Sequence, residues 1–220
     1  MALKKHQQIA VSIILGLTIV GTVGSFFVMA LESSNQRQDQ QKYQDSLAKY
    51  QNDQKAYQAK VDAQAKTLSK TYFKTFAKYQ DLPAKFDKAT ITKLETSDLK
   101  VGNGAKIDKN TKFATYYLGW TPDGKVFDGS IDNGSLKSPF SINSLASGGV
   151  IEGWQNGLIG MKIGGVRQLA IPSDQAYGKT GSQGIPGDTP LKFVVMAITQ
   201  PKTIEQPQIP IELLQQGAIQ

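Results

Sequence analysis

The feature that most constrains the fold is an abrupt change in residue usage along the chain. Residues 33–80 contain neither glycine nor proline and are rich in glutamine, lysine, alanine and aspartate. This usage predicts a long helix, because the residues that most readily interrupt a helix are absent. From about residue 91, strand-like runs alternate with glycine and proline turns, which predicts a sheet domain. We therefore expect a helical spacer, residues 32–84, followed by a β-rich domain, residues 85–200.

An uncharged apolar run, residues 9–31, precedes the spacer. Its 23 residues are enough to cross a bilayer core of about 30 Å. Lysines lie before the run and no acidic residue occurs until Glu32, so the positive-inside rule places residues 1–8 in the cytoplasm. We expect a retained single-pass anchor in the cell membrane, because the run is longer than a signal-peptide core of about 7–15 residues. The alternative is secretion after cleavage near Ala30, and either route exports the remainder of the chain.

A heptad pattern runs along the predicted spacer helix. Such spacing is typical of a coiled coil, although tyrosine and glutamine replace the aliphatic residues that a stable one needs. Two alternatives stay open: self-association through residues 33–80, or a lone solvated helix that frays. The aromatic residues at the end of the helix are expected to dock on the following domain or on a partner helix. The heptad residues are Tyr43, Leu47, Tyr50, Gln54, Tyr57, Val61 and Leu68, and the terminal aromatic residues are Tyr72, Phe73, Phe76 and Tyr79.

Two residue counts exclude whole classes of site. The chain has no cysteine, and its single histidine is His6, near the N-terminus. Disulfides, thiol catalysis, histidine-based triads and cysteine or multi-histidine zinc sites are therefore excluded. An enzyme built on this chain has to use carboxylates, hydroxyls, backbone groups or binding alone. We expect neither a metal nor a cofactor.

The basic charge lies mainly outside the glycine-rich half. The net charge is +7, and residues 32–90 carry 11 basic and 7 acidic side chains. A nucleic-acid-binding domain would concentrate its positive charge on the folded domain itself. We therefore expect no nucleic-acid partner.

The pattern of the glycine-rich half predicts an α+β domain. Residues 112–120 and 167–171 are β-rich, and residues 191–198 are apolar on both faces, which is typical of a central strand. Residues 121–124, TPDG, are a strong turn signal. The helix candidate among the strands is VIEGWQNGLIGM, residues 150–161. We expect an antiparallel sheet with little helix to cover it.

Several short motifs in this half carry a family resemblance. YLGWTPDGKVFDGS, PFSI, VIEGWQNGLIGMKIGG, AYG and GIPGDTPLKF follow one another along the chain. In order and spacing they resemble the FKBP-type peptidyl-prolyl cis-trans isomerases over roughly residues 91–200. The resemblance implies a twisted antiparallel β-sheet wrapped around one short α-helix, with a hydrophobic pocket between them. Together with residues 9–31, it implies a membrane-anchored form of the family.

The resemblance also implies which residues form the site. Trp154 would form the pocket floor, and Asp128 would be the polar group within it, with Tyr117 as its hydrogen-bond partner. Taken singly, each aromatic residue is equally typical of an ordinary core, so only the joint pattern indicates a pocket. The implied catalytic set is Tyr117, Phe127, Asp128, Trp154, Tyr177 and Phe193, and the implied substrate-binding set is Phe140, Val150, Ile151 and, at the loop rim, Ile185.

The implied function is isomerisation of X-Pro bonds in exported or cell-surface polypeptides, without covalent catalysis. The implied partners are proline-containing polypeptides and the macrolide inhibitors of the family. Two alternatives stay open: a module of the same fold that holds proline segments as a chaperone or scaffold, and a structural stalk protein with a passive head. Residues 201–220 contain three prolines, and we expect them to form a flexible tail.

Overall fold

The computed structural model describes residues 34–182 and 184–216. The apolar run of residues 9–31 lies outside this range. Within the described range, no helix combines the length and the apolar character needed to cross a bilayer. The chain divides into two compact units, one of residues 1–58 with 205–220 and the other of residues 59–204.

A six-stranded antiparallel sheet forms the body of the unit of residues 59–204. In space the order is β1-β7-β8-β2-β3, and β6 pairs with the first half of β2. The central position of β8 confirms the prediction made from its two apolar faces. A separate hairpin is formed by β4 and β5. The strands are β1 (Glu95–Lys100), β2 (Phe113–Trp120), β3 (Val126–Gly129), β4 (Ile131–Asp132), β5 (Ser135–Leu136), β6 (Phe140–Ile142), β7 (Val166–Ile171) and β8 (Leu191–Thr199).

The helix α1 (Ser34–Phe76) is followed by a 3₁₀ turn at Ala77–Tyr79, so Pro83 lies beyond its end. Two further helices are short: α2 (Glu152–Gly157) and α3 (Ile211–Gln216). The first lies within the candidate stretch 150–161 but is shorter than that stretch. The second lies in the segment that we expected to be a flexible tail.

One face of the sheet packs against α2. Successive side chains of a strand point to opposite faces, so Phe193 and Val195 of β8 reach the α2 side, where Trp154 and Leu158 are buried with them. The close approach of α2 to β7 depends on Gly153, because a methyl group there would overlap the side chain of Ile171. We call the side of the sheet that packs against α2 the inner face.

The opposite, outer face is covered by the last turns of α1. Phe76 is fully buried beside Tyr116 of β2, with ring centroids 6.3 Å apart. The Ser69 hydroxyl accepts a hydrogen bond of 2.8 Å from the backbone N–H of Leu136, which joins α1 to the β4–β5 hairpin. The aromatic residues at the end of α1 pack against this face, which confirms their expected docking on the domain. They are Tyr72, Phe73, Phe76 and, in the 3₁₀ turn, Tyr79. The sheet thus has helix on both faces, whereas we expected little helical cover.

Candidate active site

Trp154 lies at the centre of an aromatic cluster on the inner face. Its ring meets those of Tyr117, Phe193 and Phe140 edge to face, at centroid distances of 5.3, 5.4 and 6.4 Å. Phe127 adds a fifth ring, perpendicular to that of Phe193 at 5.6 Å. Such edge-to-face pairs are the favoured arrangement of aromatic rings, because the positive edge of one ring faces the negative face of the other. The structure therefore brings together five of the aromatic side chains that were predicted to form the site. They lie on β2, β3, β6, α2 and β8.

The rings converge because a side chain is missing at one position of β2. Gly119 pairs with Phe193 on one side and with Asp128 on the other. A methyl group at Gly119 would overlap the rings of Phe193 and Phe127. Glycine at this position therefore allows β3 and β8 to place two phenylalanine rings in contact across β2.

A carboxylate lies beside this apolar cluster. The Tyr117 hydroxyl donates a hydrogen bond of 2.6 Å to Asp128 Oδ2, and the N–H of Gly129 donates one of 2.9 Å to Asp128 Oδ1. Burial raises the pKa of Tyr117 well above its usual range, and the hydrogen bond to Asp128 raises it further. Burial also raises the pKa of Tyr177, with a second contribution from the negative charge of Asp128. Both tyrosines are thus held in the neutral, hydrogen-donating form.

Besides the buried Trp154 Nε1, two hydrogen-bond donors at the site have no partner in the described part of the chain. One is the backbone N–H of Ile151, the residue immediately before α2. The other is the hydroxyl of Tyr177, which is half-buried against the core cluster. The backbone near Ile151 is fixed, since Gln155 Nε2 donates a hydrogen bond of 2.9 Å to the Val150 carbonyl. Val150 and Ile151 are themselves half-buried against the same cluster.

Ile185 lies deeper than the sequence suggested. We placed it at the loop rim, but it is only 3% exposed and belongs to the inner core cluster. Its loop closes on itself, because Ser182 and Ile185 exchange backbone hydrogen bonds of 3.0 and 2.8 Å. The Ile185 side chain therefore supports the pocket wall rather than projecting from the loop.

A groove of about 550 Å³ opens beside Phe127. Its walls come from the β2–β3 turn and from the loop before β8. Because Phe127 lines this groove and also contacts Phe193, the groove adjoins the aromatic cluster. Its lining includes Pro122, Lys125, Phe127, Pro186 and Thr189.

The sequence did not point to two residues that hold the site in place. The Ser130 hydroxyl accepts a hydrogen bond of 2.9 Å from the N–H of Tyr117. Arg167 Nη1 donates to the carbonyls of Gly157 and Ile159, at 2.9 and 3.1 Å, where α2 ends. Arg167 also binds both carboxylate oxygens of Asp98, at 2.6 and 3.0 Å. In the structure the Arg167 side chain is only 10% exposed. The sequence did not indicate this, because a single arginine within a strand is usually exposed to solvent.

The site offers apolar surface and hydrogen-bonding groups for binding. Among the described residues, no group of three histidine, cysteine, aspartate or glutamate side chains is placed to hold a metal ion. The cluster presents aromatic surface, a hydrogen-bonded carboxylate and three donors without a partner among the described residues, namely Trp154 Nε1, the Ile151 N–H and the Tyr177 hydroxyl. It can bind a compact apolar group and hydrogen-bond to carbonyl oxygens beside that group.

Comparison with known proteins identifies the domain that carries this site. Residues 103–198 match the profile of the FKBP-type peptidyl-prolyl cis-trans isomerases. An FK506-binding protein of Neisseria meningitidis (serogroup A, serotype 4A) is 41% identical over 88 residues, a match that covers 40% of this chain and 77% of that protein. The chain belongs to the FKBP-type peptidyl-prolyl cis-trans isomerase family. Residues 103–198 are its FKBP domain.

Other relatives are much longer than the part they share with this chain. FK506-binding protein 4 of Candida glabrata is 43% identical over 102 residues, and the match covers 46% of this chain but 24% of that protein. The chain therefore spans about a quarter of the length of that relative.

Two solved structures are similar to the FKBP domain in sequence. The crystal structure of AtFKBP13 is 33% identical, and the match covers 49% of this chain and 93% of that one, with a TM-score of 0.43. A peptidyl-prolyl cis-trans isomerase from Pseudomonas syringae pv. tomato is 32% identical over 63% of this chain and 94% of its own, with a TM-score of 0.42.

Proposed function

We propose that the FKBP domain catalyses cis-trans isomerisation of X-Pro bonds in polypeptides. The observation that carries this proposal is the enclosed ring cluster around Trp154, which is 4% exposed and lies beside the equally buried Phe193. A pyrrolidine ring is compact and apolar, and aromatic surfaces are well suited to bind it.

The chemistry needs no covalent intermediate. Rotation about an X-Pro bond is slow because amide resonance sets a barrier of roughly 18–20 kcal/mol. In the twisted amide that resonance is lost, so the C–O dipole is weaker than in either planar form. An apolar, water-excluding pocket stabilises this less polar state relative to the planar amide, and that difference lowers the barrier.

The polar groups of the site orient the substrate in this proposal. The free N–H of Ile151 and the free hydroxyl of Tyr177 donate to carbonyls on either side of the proline. Asp128 holds Tyr117 through the 2.6 Å hydrogen bond and thereby sets the edge of the pocket. No proton is transferred, which agrees with the raised pKa values of both tyrosines.

We further propose that the substrates are exported or cell-surface polypeptides and that the chain is held in the cell membrane by residues 9–31. The support is in the sequence: 23 uncharged residues follow the N-terminal lysines. Secretion after cleavage near Ala30 is the alternative. Protease added to intact cells tests whether the domain lies outside the cytoplasm, as both alternatives require. The mass of the mature chain then shows whether residues 9–31 are retained as an anchor or removed with a signal peptide.

We also propose that macrolides of the FK506 class bind the pocket, because relatives of this chain are named for binding FK506. Such a ligand would compete with a proline peptide for the surface formed by Trp154 and Phe193. Competition between FK506 and the peptide tests this assignment, and simultaneous binding of both contradicts it.

Exchange NMR on a labelled proline peptide tests the main proposal on the full chain. Chemical-shift changes report binding, while exchange peaks between cis and trans signals report catalysed interconversion. We expect both. Binding without exchange peaks would favour the alternative function, a module that holds proline segments as a chaperone or scaffold. The groove beside Phe127 would serve either function by holding chain that flanks the proline.

A further inference from the structure

One side of α1 is shielded from Tyr43 onwards, although the sequence left open whether it is a lone solvated helix. We define the tyrosine stripe as the heptad residues Tyr43, Leu47, Tyr50, Gln54 and Tyr57. All five are half-buried, whereas most residues between them are exposed. Large side chains on an isolated helix would be exposed on every side, so another segment must cover this stripe.

The C-terminal tail is shielded with a different period. Every third residue from Pro201 is half-buried and the two residues between each pair are exposed. A period of three is that of the polyproline II helix, which has three residues per turn. The tail therefore presents one continuous edge to a neighbouring surface as far as α3. The residues of this edge are Pro201, Ile204, Pro207, Pro210 and Leu213.

The two shielded surfaces belong together. Residues 205–216 share a compact unit with residues 34–58. At its start the tail already lies beside α1, because Gln64 Nε2 donates a hydrogen bond of 2.9 Å to the Lys202 carbonyl. In polyproline II geometry three residues rise about 9.3 Å, close to the rise of about 10.5 Å for one heptad of an α-helix. The tail can thus offer an apolar group to each tyrosine turn of the stripe.

The reach of the tail matches the length of the stripe. Eight residues of polyproline II span roughly 25 Å, which equals the length of about 16 or 17 helical residues. A tail that starts beside Gln64 and runs towards the start of α1 therefore brings Pro210 near Leu47. The chemistry also fits, since proline segments in this conformation are bound by surfaces lined with aromatic rings.

We propose that residues 204–213 form a strap that occupies the tyrosine stripe of their own chain and so prevents α1 from pairing with a second copy. The strap favours its own chain because Lys202 holds it next to α1, only three residues beyond the end of β8. This tether gives the strap a high effective concentration that a second molecule does not have. Pairing of two stripes is weak by comparison, since tyrosine and glutamine replace the aliphatic residues of a stable seam.

Thiol reactivity tests the strap on the full chain, which has no cysteine of its own. The probe is Leu47→Cys on the half-buried stripe, and the control probe is Lys49→Cys on the exposed side. The strap variant carries Ile204→Ser, Pro207→Ser and Pro210→Ser. Its matched control carries three substitutions at exposed tail positions, Glu205→Ser, Gln206→Ser and Gln208→Ser.

We expect the Leu47→Cys thiol to react with a maleimide about tenfold faster in the strap variant than in the matched control, with no change at Lys49→Cys. Sedimentation in detergent solution should give a monomer for the unsubstituted tail and a concentration-dependent dimer for the strap variant. Equal reactivity in the strap variant and its control would overturn the proposal. So would a dimer with the unsubstituted tail, because the strap would then cross to a second copy or leave the stripe free.

Discussion

At the scale of single residues, two adjacent tyrosines of β2 have opposite roles. Tyr117 faces inward and donates to Asp128. Tyr116 faces outward and is fully buried, and its hydroxyl has no partner in the described part of the chain. The phenol hydroxyl thus has a hydrogen-bond partner on the pocket side and none among the described residues on the α1 side. Removing each hydroxyl in turn therefore compares a bonded group with an unbonded one.

We predict that Tyr117→Phe lowers the free energy of unfolding by about 1–3 kcal/mol, because a carboxylate loses its charge-assisted donor. Tyr116→Phe, the control, should leave stability unchanged or raise it, since it removes a buried hydroxyl that lacks a partner. Denaturant unfolding followed by tryptophan fluorescence measures both. Equal losses in the two variants would show that the Tyr117–Asp128 bond contributes nothing.

At the scale of elements, the last turns of α1 act as part of the FKBP unit. Phe76, Tyr72 and Leu68 pack on the outer face of the sheet, where Tyr116 and Trp120 are almost completely buried. A domain cut at residue 85 would expose these side chains. The compact unit that contains the sheet begins at residue 59, within α1.

We predict that Phe76→Ala lowers the free energy of unfolding by about 3–5 kcal/mol, as expected when a buried phenylalanine leaves a cavity. Lys74→Ala, two residues earlier on the exposed side of α1, should change it by less than about 0.5 kcal/mol. Thermal or denaturant unfolding of the full chain measures the difference. If both variants unfold like the parent chain, α1 does not stabilise the sheet.

Arg167 connects β7 to two other elements, because it binds Asp98 of β1 and caps the end of α2. The hydrogen bond from Arg167 lowers the pKa of Asp98, and the arginine charge lowers it further. A carboxyl group whose pKa is lower in the folded state stabilises the fold above its unfolded pKa, about 3.9. That contribution is lost as the pH falls through the lowered folded value.

We therefore predict that Asp98→Asn lowers stability at pH 7 by on the order of 1 kcal/mol, a modest loss because Asp98 is partly exposed and screened by water. The gap between variant and parent should begin to close as the pH falls below about 4 and should vanish below the lowered folded pKa of Asp98, where both chains lack the charge. Urea titrations at several pH values test this. A gap that stays constant with pH would rule out the ion pair as its cause.

At the scale of the whole molecule, some features were predictable and others were not. The central position of β8 followed from its two apolar faces, and the motif order brought Tyr117, Phe127, Trp154 and Phe193 into one cluster. The burial of Ile185 was not predictable, because it depends on how its loop closes. The ion pair of Arg167 with Asp98 was equally hidden, since it joins residues 69 positions apart in the chain.

The predicted spacer helix and the C-terminal tail were the hardest segments to interpret. Heptad spacing alone does not say whether a helix pairs with a second copy or with a segment of its own chain, since both cover the same side. The tail carried its own period of three in Ile204, Pro207 and Pro210. That signal became interpretable only when the structure showed which of its residues are shielded.

The most direct test of the proposed function is the rate of X-Pro isomerisation in a protease-coupled peptide assay on the full chain, measured between pH 6 and 9. We predict catalysis well above the uncatalysed rate and independent of pH, because both pocket tyrosines stay neutral and no proton is transferred. Phe127→Ala should lower kcat/KM by at least about tenfold, while Ser141→Ala, at an exposed position of β6 outside the groove, should leave it unchanged. Isomerisation no faster than the uncatalysed rate would contradict the account.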